Sequence, residues 1–250
     1  MMIDAGTIQA RKWLSPPFFF DKALKWAPWC LLTGMVIFIA ALWWALFKSP
    51  PDYLQGESVR IMYLHVPSAW MSLFLYVVMA GCAACGLIFR LKIGFYLSAA
   101  CAPIGAAFTL AALVTGSIWG KPTWGAWWVW DARLTTELIL FFLYLGYIGV
   151  RSAVDDQNKA DRLAAVVALV GLINIPIIHF SVHFWNTLHQ GASVFRMDGP
   201  SIAISMLIPL LLMTLAYMIL SLAACLESTC CEIMRREHGR RWLQSRLDMH

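Results

Sequence analysis

Charged residues are scarce in this 250-residue chain, where they make up 13% of the sequence, against 60% for hydrophobic residues. A soluble domain averages about a quarter charged residues, and the mean hydropathy here is +0.68. This composition excludes a soluble globular protein and indicates an integral membrane protein. The first residues also lack the basic region followed by an apolar core of a cleaved signal peptide. We therefore expect the first membrane helix to act as its own insertion signal.

Six apolar runs are long enough to cross a bilayer, which takes about 20 mostly apolar residues in a helix. The fourth run is the shortest and contains Glu137. The sequence predicts an all-α membrane protein, a six-transmembrane-helix bundle that forms a single domain over residues 1–250. Both termini then lie on the same side of the membrane. The predicted spans are residues 26–47, 69–89, 95–118, 134–150, 163–184 and 202–226.

Lysine and arginine predict the orientation, because they are enriched in cytoplasmic segments. All but five of the 19 lie in the N-terminal segment, in the second-to-third and fourth-to-fifth connections, or in the tail over residues 227–250. The asymmetry predicts cytoplasmic termini, a basic cytoplasmic tail that contacts anionic lipid or a cytosolic partner, and an outward-facing third-to-fourth connection. The net charge of +5 then reflects topology rather than nucleic-acid binding. The five on the outer side are Lys48, Arg60, Lys121, Arg133 and Arg196.

None of the seven cysteines falls in a predicted outer loop, so no external disulfide is expected. Cys82 and Cys85 have the spacing of a redox motif. They lie within an apolar run, however, and no histidine follows them. This context favours helix packing over a thioredoxin-type site or a covalent haem attachment motif.

The connection between the third and fourth spans contains the most distinctive segment of the chain. Residues 119–131, called the tryptophan segment below, hold five of the 13 tryptophans and end at Asp131. Tryptophan favours a membrane boundary because its ring is apolar while its indole N–H needs a partner. A belt supplies about one or two such residues per helix end, so five in one connection indicate a platform for a large flat ligand. They are Trp119, Trp124, Trp127, Trp128 and Trp130.

Two histidines are expected at the same outer level. His65 precedes Pro67 in the predicted first turn of the second helix, and His189 follows the fifth. Neutral imidazoles on both faces of a porphyrin would give a six-coordinate iron. His179 and His183, one helical turn apart in the fifth span, are rival ligands, or a polar patch satisfied by neighbouring helices.

Several charged residues are candidates for holding a carboxylated ligand such as haem, whose propionates need cations or N–H donors. Contact with lipid headgroups is the alternative for each of the outer cations. Arg133 and Glu137 are also spaced to pair with each other on one helix. Asp131 would be costly if buried alone, so we expect it to cap the fourth helix or orient an indole rather than act in acid–base catalysis. The candidate cations are Arg60, Lys121, Arg133 and Arg196.

The tryptophan segment with Arg133 resembles the WWD signature of membrane haem-handling proteins in cytochrome c maturation. Six spans, the chain length and residues 64–67 and 185–191 are similar to the CcmC family of that group, over nearly the whole chain. The resemblance implies non-covalent haem b in a bacterial inner membrane, with His65 and His189 as axial ligands. The haem site would lie on the periplasmic face, in a WWD loop over residues 119–133. The other implied cofactor-binding residues are Trp119, Trp124, Trp127, Trp128, Trp130, Asp131, Arg133, Arg60 and Arg196.

The resemblance also implies a role and partners. CcmC-like proteins present haem to the periplasmic chaperone CcmE and associate with the small membrane protein CcmD and the ABC-transporter subunits CcmA and CcmB. This chain has no Gly-x-x-x-x-Gly-Lys-Ser/Thr loop, which agrees with a non-enzymatic delivery component and ATP hydrolysis in CcmA. Two alternatives stay open: a WWD-type cytochrome c haem lyase, which is typically longer, and a b-type membrane electron-transfer cytochrome, whose histidines usually lie deep within helices.

Overall fold

The structure is a computed structural model that describes residues 14–248 except 186, 190, 192 and 195–197. Within these residues the chain is helical and contains no β-strand. A short 3-10 turn, Glu57–Ile61, precedes the second α-helix. The helices are α1 (Pro16–Phe47), α2 (Met62–Phe89), α3 (Lys92–Trp124), α4 (Ala132–Ala153), α5 (Gln157–Gly171), α6 (Asn174–Phe184), α7 (Ile204–Glu237) and α8 (Arg241–Leu247).

The prediction of an all-α six-span membrane protein is confirmed. Six segments are long and apolar enough to span a membrane: α1, the 3-10 turn with α2, α3, α4, α5 with α6, and α7. Most helices extend beyond the apolar runs that predicted them, because their polar end turns still pack against neighbours. In the core, small residues such as Ala80, Ala102 and Ala168 are fully buried. Small side chains let helix backbones approach closely where lipid offers no hydrophobic driving force.

The fifth span is two helices rather than one. α5 ends at Gly171 and α6 begins at Asn174, with Pro176 in the first turn of α6. Proline has no N–H to donate to the carbonyl four residues earlier, so it interrupts the helical hydrogen bonds there. The side-chain amide of Asn174 donates to the carbonyl of Thr136 on α4 at 2.9 Å. The break is therefore tied to a neighbouring helix.

The predicted basic tail over residues 227–250 is mostly not a free tail. α7 continues to Glu237, and α8 folds back so that Leu243 and Ile233 are fully buried against Phe20 of α1. Arg246 also pairs with Asp21, with Nη2 and Oδ2 2.8 Å apart. These contacts hold α8 and the end of α7 against the start of α1.

The alternating helix directions give the bundle two distinct ends. At one end the C-terminus of α3, the N-termini of α2 and α4 and the C-terminus of α6 surround the tryptophan segment; we call this the tryptophan end. The α2–α3 and α4–α5 connections and α8 lie at the other, called the opposite end. The fold thus places His65 and His189 at the same end, as the sequence predicted. Which end faces the periplasm remains a prediction.

Candidate functional site

The tryptophan segment is less of a loop than the sequence suggested. α3 continues through Trp124 and ends at Gly125, whose φ of +78° suits glycine and whose N–H donates to the carbonyl of Lys121 at 3.0 Å. α4 then begins directly after Asp131. Of the predicted loop over residues 119–133, only 125–131 lie outside a helix. Trp119 and Trp124 are therefore fixed on a helix, while Trp127, Trp128 and Trp130 lie in the connection.

His65 is held against α3. It is the fourth residue of α2, and its Nδ1 lies 3.0 Å from the carbonyl oxygen of Ala112 and 3.1 Å from Oγ1 of Thr115. A carbonyl only accepts, so Nδ1 carries the proton in the neutral ring and Nε2 keeps its lone pair. The ring fits because residue 116 is glycine: a Cβ there would lie 3.0 Å from Cε1 of His65. The edge of the imidazole also meets Trp119, with ring centroids 5.6 Å apart.

His189 is held by a carboxylate. Its Nδ1 lies 3.3 Å from Oδ2 of Asp131 and 3.3 Å from Oγ1 of Thr187, whose hydroxyl also donates to Asp131. Trp124 packs against the imidazole with ring centroids 4.8 Å apart. Because Nδ1 faces the carboxylate, Nε2 of His189 is the nitrogen left to bind another group, as in carboxylate–histidine–metal arrangements.

Asp131 has the capping role predicted for it, and it orients an imidazole rather than an indole. One carboxylate oxygen accepts from the backbone N–H of Leu134 at 2.8 Å, which caps the N-terminus of α4. The other oxygen receives Thr187 and His189. The residue is only 8% exposed, and both of its carboxylate oxygens accept hydrogen bonds. This single side chain fixes the start of α4 relative to the His189 connection.

The electrostatics keep this pair as a carboxylate and a neutral imidazole. Burial opposes the charge on Asp131, but the hydrogen bonds from Thr187 and Leu134 outweigh it and lower the pKa below its usual value. Burial lowers the pKa of His189, and Arg133 adds to that effect, while Asp131 only partly offsets it. The Nε2 lone pair of His189 is therefore available at neutral pH. Arg133 and His189 both interact electrostatically with His65 too, so these groups form one cluster.

Two donors of this cluster have no acceptor within the described chain. Nε1 of Trp128 is buried without a hydrogen-bond partner, which is unusual because buried polar groups are nearly always paired. The half-buried guanidinium of Arg133 likewise makes no hydrogen bond or close ion pair with a described residue. Glu137, its expected partner, instead accepts from the hydroxyl of Ser72 at 2.7 Å. Arg133 and Trp128 are thus free to hold an anionic group.

The remaining candidate cations are already occupied or lie outside the described residues. Arg60 donates to Glu57 and, from Nη1, to the carbonyl of Ala45 at 2.6 Å. Lys121 donates to the carbonyl of Gly125 at 3.1 Å, where it satisfies the end of α3. Arg196 lies outside the described residues. Arg133 is therefore the best placed of the four to bind a carboxylate.

His179 and His183 are not brought to this cluster. Both are exposed, whereas Ile178 and Ser181 on the same helix are buried against the bundle. His179 meets the ring of Phe180, with centroids 4.9 Å apart. The pair thus lies on the outward face of α6, away from the cluster around His65 and His189, and does not face the neighbouring helices as the polar-patch interpretation requires.

The chemistry of the site fits an iron porphyrin. Two imidazoles offer Nε2 lone pairs, Arg133 and Trp128 offer donors for propionates, and Trp127 and Trp130 are 59% and 76% exposed as apolar surface. The sequence did not reveal the groups that position the histidines. Ala112 and Thr115 are 47 and 50 residues from His65, so no local pattern reports them. Thr187 lies two residues before His189. Because a threonine hydroxyl tends to form hydrogen bonds with nearby backbone, its contact with the backbone of His189 could have been predicted from the sequence.

Comparison with known proteins agrees with this picture. The family model described as CcmC, heme exporter protein C, matches residues 9–244. The chain is 48% identical over 222 residues to heme exporter protein C of Bradyrhizobium diazoefficiens, which covers 89% of this chain and 84% of that protein. It is 45% identical over 238 residues to heme exporter protein C of Haemophilus influenzae, covering 94% and 97%.

A plant relative is similar as well. The putative cytochrome c biosynthesis ccmC-like mitochondrial protein of Marchantia polymorpha is 45% identical over 210 residues, which are 83% of this chain and 88% of that protein. The family-model match over residues 9–244 reaches from α1 into α8 and includes the whole tryptophan end. The chain therefore belongs to the CcmC family, heme exporter protein C.

Proposed function

We propose that this protein binds haem b non-covalently at the tryptophan end and presents it to the periplasmic chaperone CcmE for cytochrome c maturation. The names of its relatives, which refer to haem export and cytochrome c biosynthesis, support the class of function. The observation that carries the proposal is the pair of histidines. In both, Nδ1 is hydrogen-bonded while Nε2 has no partner among the described residues. Both lie at the same end of the bundle, beside the tryptophan segment.

The histidines act as the axial ligands, and their hydrogen bonds do the positioning. The carbonyl of Ala112 holds the ring of His65, and the carboxylate of Asp131 holds that of His189. Such outer partners fix the tautomer and raise the basicity of the ligating nitrogen. Asp131 works through His189 and is a positioning residue.

The surrounding residues bind the rest of the cargo. Arg133 and Nε1 of Trp128 receive the propionates, since each is a donor without an acceptor in the described chain. The exposed rings of Trp127 and Trp130 cover apolar porphyrin surface. The bound haem supplies the iron and the vinyl edge to which the chaperone attaches. In this proposal the chain positions its cargo and contributes no nucleophile.

The proposal includes an orientation and partners. With the tryptophan end in the periplasm, the termini and the arginine-rich opposite end lie in the cytoplasm, in line with the distribution of positive charge. The protein is then an inner-membrane component that works with CcmD and with CcmA and CcmB, in which CcmA hydrolyses ATP.

Absorption spectroscopy of the detergent-purified protein tests the ligand assignment. We expect the wild type to show a low-spin haem spectrum, and the variants His65→Ala and His189→Ala to lose it or change it. The double variant His179→Ala/His183→Ala is the matched control and keeps the wild-type spectrum, because its histidines lie on the outer face of α6. If only that control changes the spectrum, the iron is bound by the histidines of α6 and the assignment is refuted.

A second experiment tests the role against the lyase and electron-transfer alternatives. The His65→Ala and His189→Ala variants should no longer load CcmE with haem in cells that carry the remaining maturation components. Wild-type protein should co-purify with CcmE. Co-purification with apocytochrome c instead would favour a haem lyase. Normal loading by both variants would exclude the haem-presenting role.

A further inference from the structure

The opposite end contains a cavity that the haem proposal does not use. It has a volume of about 420 Å³ and lies where α3, α4, the start of α5 and α7 meet. One part of its lining is apolar and includes Ala99 and Tyr147. The other part is polar and includes Arg151, Ser152, Gln157 and Arg235. The cavity is thus amphipathic and lies among the helix ends at the opposite end of the bundle.

The polar part belongs to a network of three arginines and two carboxylates. Nη2 of Arg151 lies 3.1 Å from Asp161 and 2.5 Å from Glu232. Arg236 binds Asp161 at 2.7 Å, and Arg235 binds Glu232 at 2.8 Å. Three guanidinium groups facing two carboxylates leave one positive charge without a counter-charge in the network. The cavity is therefore electrostatically suited to an anion.

Two of these arginines also have N–H groups that donate to no described residue. Arg151 uses Nε and Nη2 toward its carboxylates, and Arg235 uses only Nη2. Nη1 of Arg151, and Nε and Nη1 of Arg235, have no acceptor among the residues that the structure describes. A guanidinium presents five N–H donors in a fork that matches phosphate oxygens. The unused donors belong to the two arginines that line the cavity.

We propose that this cavity binds an anionic phospholipid. The phosphate of the headgroup binds Arg151 and Arg235, with Ser152 and Gln157 beside it. An acyl chain covers the accessible apolar lining, which is Ala99, Pro103 and Ile148. Basic pockets between membrane helices bind acidic lipid headgroups in this way. The lining contains no histidine, cysteine or methionine, so it offers none of the usual soft or imidazole ligands for iron. A lipid therefore fits the cavity better than a second haem.

Native mass spectrometry of the full chain in detergent, equilibrated with phosphatidylglycerol or phosphatidylcholine, tests the proposal. We expect the wild type to retain phosphatidylglycerol in preference to phosphatidylcholine. Arg235→Gln removes one exposed cation from the cavity and should weaken retention about five-fold, since one arginine near acidic lipid contributes about that factor. Ala99→Leu fills the apolar part and should also lower phosphatidylglycerol retention, although every charge is kept.

Arg246→Gln is the matched control, because Arg246 is another partly exposed, ion-paired arginine at the opposite end that does not line the cavity. It should retain phosphatidylglycerol as the wild type does. Equal retention of the two lipids by the wild type, or unchanged retention in both cavity variants, would overturn the proposal. A third result would also overturn it: added haemin displaces phosphatidylglycerol, and Ala99→Leu binds fewer haemin molecules per chain than the wild type. The cavity would then be a haem site. Since these readouts are independent of axial ligation, failure here leaves the tryptophan-end proposal intact.

Discussion

The two ends of the bundle use polar residues in opposite ways. At the opposite end, buried charges are paired with one another: Asp161 alone binds both Arg151 and Arg236. At the tryptophan end, by contrast, Arg133 and Nε1 of Trp128 have no hydrogen-bond partner within the described chain. No described residue forms a hydrogen bond with Nε2 of either histidine. The carboxylates of the opposite end are fully engaged in ion pairs that stabilise the fold, and only outlying guanidinium donors are left over for a ligand. At the tryptophan end, the ligand-binding groups themselves lack hydrogen-bond partners.

This difference implies that stability and haem binding can be separated by mutation. Removing one member of a buried ion pair leaves its partner charged and unpaired, which is strongly destabilising. A group at the tryptophan end such as the guanidinium of Arg133 or Nε1 of Trp128 contributes less to folding, because it has no hydrogen-bond acceptor among the described residues. Substitutions at the two ends should therefore affect different measurements.

The largest effect is expected from Asp161→Ala. It leaves the buried guanidinium groups of Arg151 and Arg236 short of a counter-charge, so we expect a loss of about 3 to 5 kcal/mol in the free energy of unfolding. Thermal unfolding in detergent, followed by circular dichroism, measures it. Asp155→Ala, at an exposed position in the connection just before α5, should unfold as the wild type does. If the two variants unfold alike, the network does not stabilise this end.

Asp131→Asn should give the next largest effect, on haem binding rather than on folding. Asparagine still caps a helix well, so the start of α4 is preserved, but the carboxylate that orients His189 is lost. Haem affinity should fall about 10- to 100-fold, as is typical for outer partners of metal ligands, in a haemin titration. Asp156→Asn is the control, because Asp156 caps α5 at the opposite end. A similar loss of affinity in both variants would contradict the assignment.

A smaller effect is expected from Gly116→Ala. The added Cβ would lie 3.0 Å from Cε1 of His65, so the imidazole must shift by a few tenths of an ångström. We expect an altered haem spectrum and a weaker affinity than wild type, with a smaller loss than in Asp131→Asn. Gly146→Ala adds the same methyl group to a helix where nothing lies within 4 Å, and it should leave the spectrum unchanged. An unchanged spectrum in Gly116→Ala would show that the ring is not held against α3.

The smallest effect is a pH dependence of the haem-free protein. The pKa values of His189 and Asp131 are both lowered on folding, from usual values of 6.5 and 3.8. Each group then binds more protons in the unfolded state, so its contribution to stability is present above the usual pKa and is lost as the pH falls through the lowered one. Unfolding measured between pH 7 and pH 4 should show declining stability. Arg133→Gln, which removes a positive charge near His189, should make the decline through the histidine range shallower.

The fold was largely predictable because lipid imposes a simple rule: about 20 apolar residues in a helix. This rule does not predict how far the helices extend at their polar ends, because packing against neighbouring helices determines that. α7 extends past residue 226 because Cys230 and Ile233 are buried against α1 and α8. Pro176 interrupts the helical hydrogen bonds of the fifth span, but the division of the span at that point depends also on the hydrogen bond from Asn174 to Thr136.

Several residues that the structure brings together at the tryptophan end could be picked out from the sequence, but the contacts that hold them could not. Composition picked out the tryptophan segment, and position picked out His65 and His189. Helical spacing suggested that Arg133 pairs with Glu137, but Ser72 on another helix takes the carboxylate instead. Contacts between helices decide which polar groups are satisfied, and one sequence does not report them.

The division of the fifth span also constrains the length of α6. This helix is anchored to α4 twice: by Asn174 at its start, and by Thr187 and His189 just beyond its end. Each residue added to a helix advances the chain by about 1.5 Å and turns it by about 100°. A single insertion between the anchors would therefore rotate His189 away from Asp131, although no residue of the site has been substituted. We expect insertions within α6 to abolish haem binding.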